Sequence, residues 1–276
     1  MSDKSTTETN DLKQQLFGFW DQAAEYYQLA RQYNMEATPE RQRMRGFIPK
    51  GSAVLDVGSG AGENGFHIRD VANYTGLEYS STAIEMAREF ESPTCRYLQG
   101  DAENMPFEDA SFDVVLSTHV IEHLTNPQRV IDEMLRVLKP GGRLMIIGPA
   151  WEWPLQSPPS CKQRSKSLWW RIRWSTGRFW RLLVNDPGFD MIENPDILEG
   201  AYEEDNDTTY AVSVRRLLRY LENLGLEPEY VQRFADVADE WGHRGPFRWF
   251  MQTLTLFPPF RYVHACLFIV VKKPVL

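Results

Sequence analysis

The chain has 276 residues, a formal net charge of −8 and a hydrophobic share of 42%. It is long enough to bury a substantial core and too apolar to be a disordered chain. A nucleic-acid binder ordinarily carries an excess of basic residues; here residues 1–150 hold 14 Lys/Arg against 22 Asp/Glu, and residues 151–276 hold 16 of each.

Residues 1–10 read as a disordered tail. Residues 11–46 read as two short helices divided near Asn34–Pro39. From Ser52 the pattern changes. Ala53–Val57 is a short apolar run followed by glycines, which predicts a buried strand and a tight turn. Tyr74–Tyr79 reads as a second strand, and Ser81–Phe90 as a helix with Ser80 or Ser81 as N-cap. Strands are expected at Arg96–Gln99 and Phe112–Ser117. A helix is expected over Asn126–Leu138, opened by Asn126-Pro127 and ended by Pro140-Gly141-Gly142. Arg143–Ile147 is another strand. Repeated strand–helix–strand alternation implies a parallel sheet with helices on both faces. Residues 150–210 break the rhythm. It returns with a helix at Val212–Leu224, a strand at Glu229–Phe234, an irregular aromatic stretch at 235–260 and a closing strand at Tyr262–Lys272. These readings make residues 11–276 one domain with insertions at about 150–210 and 235–260.

The chemistry centres on Val54-Leu55-Asp56-Val57-Gly58-Ser59-Gly60-Ala61-Gly62. Glycine at every second position lets a backbone turn tightly and lets a ligand approach closely. No Gly-Lys-Ser/Thr follows, so the loop is not a P-loop. The dinucleotide spacing fails as well, because Glu63 stands where a third glycine would fall. Asp56 and Glu63 would repel a pyrophosphate and suit a cation, and S-adenosylmethionine carries a sulfonium and an ammonium group. Glu78, at the end of the next strand, suits two ribose hydroxyls. Asp101, after the third strand, suits an adenine amino group.

These stretches resemble the class I S-adenosylmethionine-dependent methyltransferases, of the ubiquinone/menaquinone-biosynthesis type. The resemblance rests on VLDVGSGAG (54–62), GLEYS (76–80), GDAENMPFEDASFDVVLSTHVIEHL (100–124) and RVLKPGGRLMIIGP (136–149), with FWDQAAEYY (19–27) resembling the family's N-terminal helix. It implies a Rossmann-like, doubly wound α/β fold. The sheet would be seven-stranded and mostly parallel with an antiparallel last strand, with N-terminal helices and insertions forming a lid. It also implies a donor site. Asp56 and the backbone of Gly58, Ser59, Gly60 and Gly62 would hold the methionine part, with Tyr27 reaching its carboxylate. Glu78 would bind ribose, Tyr79 would lie against adenine, and Asp101 and Ala102 beside its edge. Thr118 and His119 would sit beneath the sulfonium. The expected activity is methyl transfer from S-adenosylmethionine, yielding S-adenosylhomocysteine, to oxygen or carbon of a small-molecule or lipid-linked acceptor. A non-catalytic scaffold and an RNA methyltransferase are the alternatives.

His119 is a candidate general base for a hydroxyl acceptor. His119-Val120-Ile121-Glu122-His123 also matches the inverted zinc motif H-x-x-E-H, but short motifs match by chance, and no metal is expected. Residues 153–185 hold seven Lys/Arg, five aromatics from Trp169 to Trp180 and no acid, whereas 186–207 hold nine acids and no base. The first segment reads as a cap whose charges the second meets, as peripheral membrane contact through 160–185, or, last, as an RNA grip. Asp236, Asp239, Glu240 and His243 read as a solvated loop. The three cysteines, Cys95, Cys161 and Cys266, form no CxxC pair, and the polar first residues do not read as a signal peptide. A cytoplasmic setting is expected, at the inner membrane face if 160–185 meets lipid.

Overall fold

The computed structural model describes residues 2–35, 38–151, 156–162, 164–184, 187–192, 207–238, 240, 242, 244–257, 260–262 and 266–275. Its elements are α1 (Ser2–Asp21), α2 (Ala24–Asn34), α3 (Pro39–Gly46), β1 (Ala53–Val57), α4 (Glu63–Ile68), β2 (Asn73–Glu78), α5 (Ser81–Ala87), β3 (Cys95–Gln99), β4 (Phe112–Thr118), α6 (Pro127–Val137), β5 (Leu138–Pro149), α7 (Leu168–Val184), α8 (Val214–Asn223), β6 (Glu227–Val231), α9 (Phe234–Val237), α10 (Gly245–Leu254) and β7 (Cys266–Lys272). The strands form a seven-stranded sheet ordered β3-β2-β1-β4-β5-β7-β6. β1 is parallel to β2 and β4, β2 is parallel to β3, and β7 is antiparallel to β6. The order reverses between β1 and β4, the switch point where open α/β sheets bind ligands. This is the Rossmann-like seven-stranded α/β sheet expected from the sequence, with its last strand antiparallel.

The chain forms two compact units. One comprises Met1–Val120, Thr125–Met145 and Lys273–Leu276, the other Ile121–Leu124 and Ile146–Lys272. The insertions and the last two strands gather in the second of these units.

In the first unit the central strands are apolar on both faces. Val54, Leu55 and Val57 of β1 and Val114, Val115 and Leu116 of β4 are all buried, as a covered parallel sheet requires. The helix from Pro127 opens on Asn126, whose side chain accepts from Arg129 N–H. Pro140-Gly141-Gly142 does not separate helix from strand. The chain is already extended at Leu138, and Gly141 N–H donates to the Lys273 carbonyl. Residues 2–10 are the start of α1 and not a tail. They hold no apolar residue, so hydrophobic periodicity had nothing to register there. The far end of α1 docks on α5: Asp21 accepts from both Ser81 N–H and Ser81 Oγ. A carboxylate at a helix N-terminus is favoured by the helix dipole.

In the second unit Asp190 is the anchor. It is buried and meets Arg178 and Arg181 of α7 and Arg216 of α8. Two of the seven cations in 153–185 are thus met by an acid of the following segment; most of that segment lies outside the described residues. The Glu122 carbonyl accepts from Thr209 N–H and Tyr210 N–H. The 235–260 stretch expected to be irregular contains α9 and α10. α10 opens on Gly245-Pro246, and proline is well suited to a helix's first positions. No helix among the described residues is long and apolar enough to cross a membrane.

Ser80 is fully buried, caps α5 by accepting from Ala83 N–H, and donates to the Trp20 carbonyl. Ser80→Ala should cost about 1 kcal/mol, read by calorimetry as a Tm lowered by roughly 2–4 °C. An unchanged Tm would show that the cap carries no stability.

Candidate functional site

The site grows from the turn between β1 and α4. Gly58, Gly60 and Gly62 all have positive φ, at 76°, 52° and 92°, a region costly for residues with a β-carbon. At Gly58 the constraint is also steric, since a Cβ would lie 2.3 Å from Val120 Cγ2. At Gly60 the nearest atom to a Cβ would be Glu63 Oε2 at 3.8 Å, so that stretch of backbone is open to approach. Gly58 N–H and Ser59 N–H both donate to the Leu77 carbonyl. Gly60 N–H donates to Glu78 Oε2 at 3.0 Å, and Ser80 N–H to Glu78 Oε1 at 2.9 Å. The turn is therefore bolted to the end of β2 through the carboxylate expected to meet ribose.

Asp56 lies fully buried beneath the turn. Its Oδ2 accepts from Tyr74 Oη at 2.6 Å and Asn64 Nδ2 at 3.1 Å. Its Oδ1 and the hydroxyl of buried Ser59 have no hydrogen-bond partner among the described residues. Asn64 Nδ2 also donates to Thr118 Oγ1 at 2.7 Å, which ties the ends of β1 and β4 together. Asn64 carries no motif signal; its position two residues after Gly62, on the first turn of α4, is the only clue.

Asp56, Glu63 and Glu78 form one electrostatic group. Burial pushes the Asp56 carboxyl up to about 7, against hydrogen bonds from Tyr74 and Asn64 that lower it, and the charges of Glu63 and Glu78 add to the rise. Burial also raises Glu63 and Glu78. Arg41 of α3, with its own pKa lowered by burial, moderates the field beside Glu63. Tyr27 is buried with Ala61 and Ala83, and burial and the Glu78 charge raise its phenol well above the ordinary value.

The N-terminal helix contributes groups that no motif announced. Phe17 stacks on Tyr79 with centroids 3.5 Å apart, a spacing that admits no third ring on that face. Lys13 Nζ lies 2.9 Å from Asp101 and 3.0 Å from Glu103. Burial alone would lower the Lys13 pKa, but the hydrogen bonds to Asp101 and Glu103 outweigh it. Asp101 Oδ1 accepts from Glu103 N–H, and Ala102 lies half-buried in the same turn. His119 follows β4 with φ at 55° and sits 3.8 Å from Glu40 of α3. In the second unit, His123 Nδ1 lies 2.8 Å from buried Asp207. Among the described residues no three His, Cys, Asp or Glu are grouped to hold a metal. Asp239 and His243 lie outside them.

Residues 55–146 match the family described as "Methyltransferase domain". That match spans about a third of the chain, and over those residues the sequence is similar to a methyltransferase domain. Over 99 residues it is 38% identical to a phthiotriol/phenolphthiotriol dimycocerosates methyltransferase of Mycobacterium ulcerans, covering 34% of this chain and 36% of that one. Over 110 residues it is 37% identical to the probable tRNA methyltransferase 9B of Bos taurus, covering 38% and 23%. The chain spans less than half the length of the curated relatives it matches. In fold it is similar to an S-adenosylmethionine-dependent methyltransferase from Mesorhizobium loti, with a TM-score of 0.55 at 15% identity, covering 87% of this chain and all of that one.

The first unit should show the titration of Asp56. Between its ordinary value, about 4, and about 7, folded Asp56 holds a proton that the unfolded chain has released. Stability then falls as pH rises through that window, by up to about 4 kcal/mol. Urea midpoints of the free protein at pH 5 and pH 8 should show this fall, and Asp56→Asn should reduce it to the share left by Glu63 and Glu78. An equal fall in the variant would overturn the assignment.

Proposed function

We propose that this chain is an S-adenosylmethionine-dependent methyltransferase whose acceptor is a small or lipid-linked molecule methylated at oxygen or carbon. The observation that carries the reading is the open glycine turn with three desolvated carboxylates around it, Asp56, Glu63 and Glu78. Three acids at one turn favour a cationic ligand over a phosphate. The unpartnered Asp56 Oδ1 and Ser59 hydroxyl suit a ligand bearing donors, since buried polar groups without partners are costly. The residues present thus fit the donor that the family uses.

In this reading Asp56, Ser59 and the backbone of Gly58, Gly60 and Gly62 hold the methionine part, and Tyr27 and Arg41 face its carboxylate. Glu78 takes the ribose hydroxyls on lone pairs not used by Gly60 and Ser80. Tyr79, Asp101 and Ala102 border the adenine, with the Phe17 face of Tyr79 already taken. When bound, the donor supplies an electrophilic methyl on a positively charged sulfur. Thr118, fixed by Asn64, and His119 border the reacting end. For a hydroxyl acceptor, His119 takes the proton and Glu40 steadies the resulting imidazolium. Much of the catalytic gain comes from alignment of donor and acceptor. The segments 150–210 and 235–260, which lie outside the family match, are then where acceptor choice is sought. A second reading, RNA methylation, is favoured only by the similarity to the tRNA methyltransferase and is opposed by the net charge of −8; a steep salt dependence of RNA binding would support it.

S-adenosylhomocysteine should bind one-to-one in a calorimeter, and Glu78→Ala should weaken it by roughly tenfold or more, the worth of a charged hydrogen bond. No binding to the wild type would put a non-catalytic scaffold in place of the enzyme.

A further inference from the structure

α7 is a helix with two unlike sides. Trp170 and Trp174 pack against buried Cys161, Ile192 and Ala211, and Arg178 is buried on Asp190. At 100° per residue, the residues turned away from that packing are Leu168, Trp169, Ile172, Phe179 and Trp180, within an arc of about 120°. All five are exposed: Trp169 by 80%, Leu168 by 68% and Trp180 by 65%. Arg173 lies about 20° beyond one edge of this arc and Arg171 about 60° beyond the other, and both are exposed. Seventeen residues make a helix about 25 Å long, so the stripe runs along a substantial surface. Large exposed apolar surface of this kind marks an interaction site.

We propose that α7 docks the chain on an anionic lipid surface, its apolar stripe sunk among the acyl chains and Arg171 and Arg173 at the level of the headgroups. Charge selects this occupant. No acid lies anywhere in 153–185 of an otherwise acidic chain, and an apolar stripe edged by arginine is the pattern of an interfacial helix. RNA fits less well. Leu168 and Ile172 offer nothing to a base, and Arg178 and Arg181 already hold Asp190. α10 of the same unit repeats the character: it carries no acid, buries none of its side chains, and exposes Trp249 by 70%. The proposal goes beyond methyl transfer and fails separately from it, because donor binding is measured without lipid.

The full chain is mixed with phosphatidylcholine vesicles, with and without phosphatidylserine, and binding is followed by co-sedimentation and by the tryptophan emission maximum. Binding should require phosphatidylserine, weaken with salt and shift the emission to the blue. Trp169→Ser with Trp180→Ser should lower vesicle affinity roughly tenfold or more, as should Arg171→Glu with Arg173→Glu. Neither pair touches the packed side of α7, so Tm and S-adenosylhomocysteine affinity should stay at wild-type values, which separates lost docking from lost folding. Indifference of the wild type to phosphatidylserine would overturn the proposal. So would vesicle affinities unchanged in both variants, or a stripe that instead joins two copies of the chain in sedimentation without lipid.

Discussion

The turn between β1 and α4 must reverse direction in a few residues while leaving its N–H groups paired, and the surrounding unit is organised around that demand. Left-handed glycines make the turn possible, and the end of β2 satisfies it. The Leu77 carbonyl takes two N–H groups and Glu78 takes a third. The space a side chain at Gly58 would need is filled by Val120. A Cβ at Gly62 would lie 2.8 Å from Tyr97 Oη. Residues at or just beyond β2, β3 and β4 are therefore positioned against one short piece of backbone, which is why carboxylates scattered along the chain form a single group.

That concentration has an electrostatic consequence. Asp56 loses its water to burial and, among the described residues, gains two hydrogen bonds, both on one oxygen. A carboxylate so placed rises in pKa until a cation or donors arrive. Burial here holds a carboxyl away from its own optimum, a cost that a positively charged ligand would relieve. Functional sites commonly carry perturbed groups of this kind.

The parts of the fold and site that were legible in the sequence are those in which local chemistry and tertiary role coincide. Glycine spacing after an apolar run marks both the turn and the strand before it, so β1, β2 and β4 could be read directly, as could the acids at positions 56, 63 and 78. Lys13, Phe17, Glu40 and Arg41 could not, because each reaches the site from an N-terminal helix and only the folded chain shows which loop it faces. α1 escaped at its start because Ser2–Asn10 has no apolar period to detect, and α10 because Gly-Pro and a run of aromatics imitate a loop. For α7 the composition was visible, but which side packs and which side faces water depends on Trp174, Arg178 and Asp190 meeting across the second unit.

The boundary of the family match follows the same physics. It covers residues 55–146, and the first unit's share of β5 ends at Met145. The matched segment thus holds the glycine turn and its acids, where positive-φ glycines and close steric contacts leave the backbone little room for change. The second unit is built around Asp190 and its three arginines, and it is there that Trp169, Trp180 and Trp249 are left exposed. In the proposed reading the first unit answers to the donor and the second to the acceptor.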